Sequence, residues 1–275
     1  MSRNFNKVFS KLRKYISPTW PNSRYVLNEK FNGEFIFLFC HPNTGSTAMA
    51  ELIGNSSLVS GLKPKYEGQW LIKGMSRNEK WDERYEFDWH SVVNTWQKMA
   101  TEIQAKKTDV RYIFEKSPPN MIRSAEFIEH FKPETILVLT RNPYATVSSM
   151  LHRYNKKDLL DDEKRKRTIQ RLSKNWLVRT EILSKISRSQ GSPIIKYENL
   201  CRRPTLLKEY LPSEMADSIN FDANVMVKDY EPQQIKNVNF EQIKKLTQEE
   251  IVIIREIIRG NCIVADLAYE EPHDY

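Results

Sequence analysis

The chain has 275 residues, with 43 Lys and Arg against 35 Asp and Glu, a net charge of +8, 40% apolar and 28% charged residues. This length and balance suit an α/β domain with a well-buried core and exclude a largely disordered chain. Eight glycines are too few for Gly-rich repeats, and the three widely spaced cysteines (Cys40, Cys201, Cys262) suggest neither a disulfide framework nor a cysteine-based zinc site. The basic surplus points to an anionic ligand, a nucleic acid or an anionic membrane surface.

Residues 1–30 read as a basic amphipathic segment. Phe5, Val8, Phe9, Leu12 and Ile16 recur at helical spacing, while Lys7, Lys11 and Lys14 lie mostly elsewhere on the wheel. Packing on its own domain is the expected role, with membrane-surface contact through residues 1–16 as the alternative. No apolar run approaches the roughly 18–20 residues of a membrane span. The basic N-terminus also lacks the apolar core of a signal peptide, so a cytoplasmic location is expected. Pro18 and Pro21 break the pattern.

Four β-rich runs follow, at Phe35–Cys40, Arg111–Glu115, Thr135–Thr140 and Pro193–Tyr197. Near-continuous apolar strands separated by helical stretches predict a parallel sheet covered on both faces. A charged helix is expected from about Leu159 to Arg188. Thr247 and Glu250 form a capping-box pattern before Ile251–Ile258, and Gly260 stops that helix. No repeat or composition break divides residues 31–275, which read as one α/β domain with three layers.

The first strand runs into His41-Pro42-Asn43-Thr44-Gly45-Ser46-Thr47 and then a helical stretch beginning near Ser46. Helix-start N–H groups lack intrahelical partners and carry the positive end of the dipole. Gly45 permits close backbone approach, and Thr44, Ser46 and Thr47 add hydroxyls, so the loop suits a phosphate or sulfate group. An ordinary turn capped by Ser46 or Thr44 is the alternative. Neither G-x-x-x-x-G-K-[ST] nor G-x-G-x-x-G occurs, which removes the main support for ATP, GTP or a dinucleotide.

After the third strand, Arg141-Asn142-Pro143 makes a sharp entry to a helix, with Asn142 as cap and Pro143 in the first turn. Arg141 then sits at the carboxyl edge of the sheet, where open α/β folds bind ligands. Ser149, two turns into the helix, can face the same cleft. An Arg fork and a hydroxyl suit a terminal phosphate. Ser148 is the weaker choice, since neighbouring helical residues point about 100° apart.

Together these segments resemble the sulfotransferase family. Pro42-Asn43-Thr44-Gly45-Ser46-Thr47 is similar to its 5′-phosphosulfate loop, and Arg141 through Ser149 to its 3′-phosphate motif R-N-P-x-x-x-x-x-S. Glu115-Lys116-Ser117-Pro118 resembles the E-K-[ST]-P segment of the carbohydrate and protein branches, and Tyr197-Glu198-Asn199-Leu200 the Y-E-[DN]-L segment. The resemblance implies a P-loop-like fold and transfer of a sulfuryl group from 3′-phosphoadenosine 5′-phosphosulfate (PAPS) to a hydroxyl or amine, leaving 3′-phosphoadenosine 5′-phosphate (PAP), with no metal. Asn43 and Thr44–Thr47 would face the phosphosulfate, and Arg141 and Ser149 the 3′-phosphate.

The family's loop lysine is Asn43 here, which brings no charge. The resemblance makes Lys116 the first substitute, with Lys63, Lys65 and His41 as alternatives. Glu67, just after the first helix and followed by Gly68, is the leading base, with His90 as alternative. His152 reads as structural or ligand-orienting. Trp70, Trp81, Trp89 and Trp96, with Tyr66, Tyr85 and Phe87, are expected mainly in the core, the remainder lining an acceptor cleft. Lys236, in the loop 228–239, is a further expected nucleotide contact. The acceptor is a small molecule, carbohydrate or protein. Competing readings are a kinase-like phosphotransferase, a degenerate sulfotransferase fold, and a non-enzymatic binder of nucleic acid or anionic glycan. The mixed charges of Arg153–Lys174 read as a solvated helix rather than a phosphate track.

Overall fold

In the computed structural model, which describes residues 31–227 and 231–272, the stretch Phe35–Cys40 is buried on both sides. The expected N-terminal segment 1–30 and Lys228 lie outside the described residues. Glu34–Cys40 is strand β1. Its alternation splits the apolar residues cleanly: Ile36, Leu38 and Cys40 join one core, and Phe35, Phe37 and Phe39 the other. A strand with apolar residues on both faces must be central, and β1 is.

The sheet further contains β2 (Val59–Ser60), β3 (Tyr112–Glu115), β4 (Thr135–Thr140) and β5 (Ile194–Lys196), in the order β2-β3-β1-β4-β5. Every pairing is parallel. The chain leaves β1 towards the β2 edge and leaves β4 towards the β5 edge. The crevice beyond the carboxyl ends of β1 and β4 is therefore the switch point of the sheet.

Helices cover both faces. On one side, α1 (Ser46–Ile53) contributes Met49 and Leu52 to a core shared with Leu137, Leu139 and Leu200. On the other, α2 (Trp89–Lys106) and α3 (Ser124–Phe131) bring Trp96, Phe127 and Phe131 onto Phe35 and Phe37. Trp96 lies 5.3 Å from Phe127 and 6.3 Å from Phe37, ring centre to ring centre. Beyond β4, α4 (Pro143–Tyr154) packs with α5 (Asp162–Gln190) and, past the short α6 (Tyr197–Arg202), α7 (Ser213–Ser218) and α8 (Asn239–Ile243), with α9 (Gln248–Ile258). Thr247 and Glu250 close the expected capping box on α9. A last helix, α10, spans Cys262–Leu267. No helix of the described residues is long and apolar enough to cross a membrane.

The three-layer α/β architecture agrees with the sequence, and the differences have local causes. Strand β2 was not expected, because two residues show no period; it is recruited at the sheet edge by pairing with Tyr112 and Ile113. The expected strand to Tyr197 ends at Lys196, which pairs with Thr140, the last residue of β4, so Tyr197 turns into α6 instead. The long charged helix starts at Asp162 because Asp161 accepts from the Lys164 N–H, and it ends at left-handed Gly191. Replacing Trp96 by Ala should destabilise the protein by about 3–5 kcal/mol, read by denaturant unfolding. An unchanged midpoint would place the aromatic cluster outside the cooperative core.

Candidate functional site

The loop between β1 and α1 is left-handed at Asn43 (φ 64°) and at Gly45 (φ 82°), but not at Thr44 between them. Such alternation turns backbone N–H groups towards one concavity. Asn tolerates the left-handed region better than most residues with a side chain, a local reason for Asn43. Gly45 is also demanded sterically: a Cβ there would lie 2.4 Å from the Tyr197 ring. It caps α1 with no side-chain hydrogen bond, so neither Thr44 nor Ser46 is the cap that an ordinary turn would have. The first intrahelical bond is Met49 N–H to the Gly45 carbonyl (3.0 Å), which leaves the N–H groups of Ser46, Thr47 and Ala48 without helical acceptors.

These residues line a cavity of about 310 Å³ together with Arg141 and Ser149. Arg141 is 4% exposed and held on three sides. Its Nε donates to Asn239 Oδ1 (2.8 Å), its Nη1 to the Asn43 carbonyl (2.9 Å), and its guanidinium lies 4.5 Å over the Tyr197 ring. Its Nη2 is buried and has no hydrogen-bond partner among the described residues. Asn239 is fixed in turn, donating through Nδ2 to Glu198 Oε1 (2.7 Å), which also accepts from the Asn142 N–H (2.9 Å). Asn142 caps α4 through the N–H groups of Tyr144 and Ala145, with Pro143 in the first turn, as its sequence predicts. Ser148 is buried and donates to the Gln242 carbonyl (2.6 Å), so Ser149 is the hydroxyl that faces the cavity.

Behind α1, the turn 66–69 is stapled residue by residue to the end of β3. The Lys116 N–H donates to the Tyr66 carbonyl (2.7 Å), Glu115 Oε2 accepts from the Gly68 N–H (2.7 Å), and Ser117 Oγ accepts from the Gln69 N–H (3.1 Å). Gly68 is required here because a Cβ would meet Glu115 Oε2 at 2.7 Å and Trp96 at 2.9 Å. Lys116, almost wholly buried, donates to Glu67 Oε1 (3.0 Å) and to Thr47 Oγ1 (3.3 Å). Glu67 Oε2 accepts from Gln69 Nε2 and Trp70 Nε1. Burial pushes the Glu67 carboxyl up, but the Lys116 ammonium and the hydrogen bonds from Lys116, Gln69 and Trp70 outweigh it and hold it below its usual range.

Glu115 is different. Burial pushes its carboxyl up to about 8, against the Ser117 and Gly68 hydrogen bonds and with the Glu67 charge adding to the rise. Its Oε1 accepts from Asn120 Nδ2, while Asn120 Oδ1 is buried without a hydrogen-bond partner among the described residues. Burial therefore favours a protonated Glu115, and turning the Asn120 amide over gives that proton an acceptor.

Asn43, Gly45, Ser46, Thr47, Arg141, Ser149 and Lys236 thus share one cavity, and Lys116 and Glu67 stand behind Thr47. Thr44 is fully buried, and its hydroxyl donates to the His41 carbonyl (2.9 Å), shaping the loop from behind. Exposed Lys236 offers its carbonyl to the Tyr197 hydroxyl (2.7 Å). His41 cannot supply the missing loop cation. Burial, with Arg179 nearby, lowers its pKa to about 3, and its ring stacks on Trp176. Thr180 Oγ1 donates to the Trp176 carbonyl and so accepts from His41 Nε2–H. Lys63 and Lys65 do not line the cavity; nor do Lys116 and Glu67, but Lys116 reaches its wall through Thr47. His90 is exposed beside Asn94, and His152 Nδ1 is bonded to the Ser148 carbonyl. Of the aromatic segment, Phe87 and Trp96 are core, Trp89 packs on Phe127, and Trp70 and Tyr85 stay exposed. Among the described residues, no group of three or more His, Cys, Asp or Glu could hold a metal ion.

Sequence reasoning missed Arg153 and Lys245 on the cavity wall, the apolar wall of Val225, Val227, Ile235 and Val238, and the Asn239–Glu198 brace. Arg153 lies one helical turn beyond Ser149, a spacing that could have revealed it. Nothing local marks Asn239.

No family model and no curated protein matches the chain. Among solved structures it is similar to a sulfotransferase domain from the Curacin biosynthetic pathway (13% identity, 89% of this chain and 100% of that one, TM-score 0.45). It is also similar to a sulfotransferase domain of the Synechococcus PCC 7002 olefin synthase (15%, 89% and 98%, TM-score 0.44). A sulfotransferase from Alicyclobacillus acidocaldarius matches as well (12%, 83% and 96%, TM-score 0.45).

Two outcomes follow from the site's packing. Gly45→Ala, strained in both backbone and contact, should destabilise the fold by about 1–3 kcal/mol in denaturant unfolding. Wild-type stability would argue against the Gly45–Tyr197 contact. Glu115 binds its proton more tightly folded than unfolded, so its contribution is full below its ordinary pKa of 4.5 and is lost as pH rises through about 8. Glu115→Gln should flatten that part of the stability–pH curve, and a curve unchanged in slope would contradict the raised Glu115 pKa.

Proposed function

We propose that the chain is a sulfotransferase that uses PAPS and moves its sulfuryl group to an acceptor hydroxyl or amine. The observation that carries this reading is the buried Arg141 fork, with Nη2 unpartnered, lining the same cavity as the uncapped start of α1 and Ser149. Two anionic groups on one ligand fit these two ends: the N-terminus of α1 receives a phosphosulfate, and Arg141 with Ser149 a terminal phosphate. The loop takes this shape only because Gly45 has no Cβ, the space one would need being filled by the Tyr197 ring.

The donor supplies an activated sulfur–oxygen bond to a 5′-phosphate. Transfer forms the acceptor oxygen–sulfur bond and breaks the sulfur–phosphate oxygen bond, whose electron pair leaves with the phosphate. The acceptor proton passes to Glu67, a carboxylate whose lowered pKa keeps it ionised at neutral pH. Lys116 replaces the charge that Asn43 lacks: reaching Thr47 from β3, it lies next to the α1 N-terminus, where negative charge grows on the leaving group. Gln69 and Trp70 aim Glu67 by holding its other oxygen.

Calorimetry with PAP and with adenosine 5′-phosphate tests the binding half. PAP should bind more tightly than adenosine 5′-phosphate, and Arg141→Ala should erase most of that difference, about a hundredfold for a buried charged contact. Equal binding of both nucleotides by the native chain would remove the 3′-phosphate assignment. For the chemistry, Glu67→Gln should abolish turnover while PAP affinity stays within about twofold. Undiminished turnover would exclude Glu67 as the base.

A further inference from the structure

The other buried or half-buried arginines of the described residues each have hydrogen-bonding partners. Arg123 donates to the carbonyls of Lys80, Asp82 and Tyr85, Arg165 pairs with Glu250, and Arg141 has Asn239 and the Asn43 carbonyl. Arg179, half-buried on α5, is the exception. Its guanidinium lies 4.2 Å over the Trp81 ring, and no carboxylate or carbonyl among the described residues is bonded to it. Burial, with the Arg171 charge, lowers its pKa to about 10, so the protein carries a cation that its surroundings disfavour.

Arg171 is the basic group that acts on Arg179, and its partner Asn155 adjoins Tyr154, where two further arginines stand. Arg77 and Arg153, from two different segments, both stand 5.5 Å from the centre of the exposed Tyr154 ring. Arg171 donates to Asn155 Oδ1 in the next residue (3.1 Å). None of the four makes an ion pair with a described carboxylate, although other surface arginines such as Arg84, Arg203 and Arg255 do. Asp158, close in sequence, accepts from Thr168 instead, and Asp82, next to Trp81, is occupied by Arg84. Guanidiniums gathered without counter-charge repel, and a planar fork is built to receive oxyanions in pairs.

The position of the cluster indicates which molecule it serves. Arg153 is at the cavity wall, one turn past Ser149, and Arg179 influences His41, the residue that leads into the 43–47 loop. Arg77 and Trp81 belong to the stretch that also carries Glu67 and Trp70. The donor's two anionic ends already have Arg141 with Ser149 and the start of α1. Resting on the sulfuryl-transfer reading, we propose that Arg77, Arg171 and Arg179, bordering the donor cavity at Arg153, form an acceptor subsite and that the acceptor carries an anionic group, a carboxylate, phosphate or sulfate, besides the group that is modified.

The test titrates inorganic phosphate into the full-length chain saturated with PAP, by calorimetry and by thermal unfolding. Phosphate should bind saturably and raise the melting temperature of the native protein. Arg179→Gln and the double variant Arg77→Gln/Arg171→Gln should each weaken phosphate about tenfold or more while leaving PAP affinity within about twofold. Arg179→Gln should also melt no lower than the native chain, because it removes a disfavoured charge; a structural arginine would instead lower the melting point. Absence of saturable phosphate binding, equal binding by the variants, or a parallel loss of PAP affinity would overturn the subsite, the last by giving these arginines to the nucleotide. Failure of PAP to bind the native chain would instead refute the donor assignment. The phosphate titration without nucleotide then decides the cluster alone, supporting an anion site if Arg179→Gln weakens it and overturning it if not.

Discussion

The Tyr197 ring is wedged between Gly45 and Arg141, and the geometry of the cavity depends on that contact. One edge of the ring occupies the space a Cβ would need at position 45, and its face supports the Arg141 guanidinium. Its hydroxyl donates to the Lys236 carbonyl, fastening the 233–238 wall to the same point. One side chain therefore sets the distance between a helix N-terminus and a buried cation. It can do so because β5 ends at Lys196, which delivers Tyr197 beside the ends of β4 and β1.

A second constraint orders the opposite side of α1. Glu115, Lys116 and Ser117 each hold one part of the 66–69 turn, so the register of β3 fixes the position of Glu67. Lys116 connects the two halves, since it touches both Glu67 and Thr47. Charge is distributed accordingly. The cavity holds a braced cation with one Nη unpartnered among the described residues, the turn holds a carboxylate kept ionised, and Arg77 and Arg153, at the Tyr154 ring, make no ion pair with a described carboxylate.

Much of this was legible in the chain because it is local. The run Phe35–Cys40 followed by a left-handed glycine, and Arg141-Asn142-Pro143 followed by Ser149 at helical spacing, specify two strand–loop–helix corners. Parallel strands place both corners at one edge. Strand β2 was not legible, since two residues carry no period and pairing alone creates it. The aromatic segment was only half legible: composition cannot separate Trp96, sealed in the core, from Trp70, left in solvent. The mixed charges of Arg153–Lys174 were legible only in part: Lys164 pairs with its sequence neighbour Asp161, whereas Arg165 and Lys166 pair with Glu250 and Glu249 of α9, and Arg153 and Arg171 make no ion pair with a described carboxylate.

By itself the sequence determined the layered α/β fold, the two corners and the residue types suited to anionic groups, because backbone propensity, capping and apolar period act over a few residues. The tertiary structure decided which of those groups meet. Asn239 braces Arg141 from 98 positions away, Glu115 receives Gly68 from 47, and His41 loses its proton to burial against α5. Desolvation and Coulomb interaction depend on distance through space. No spacing along the chain records that distance until the sheet has closed.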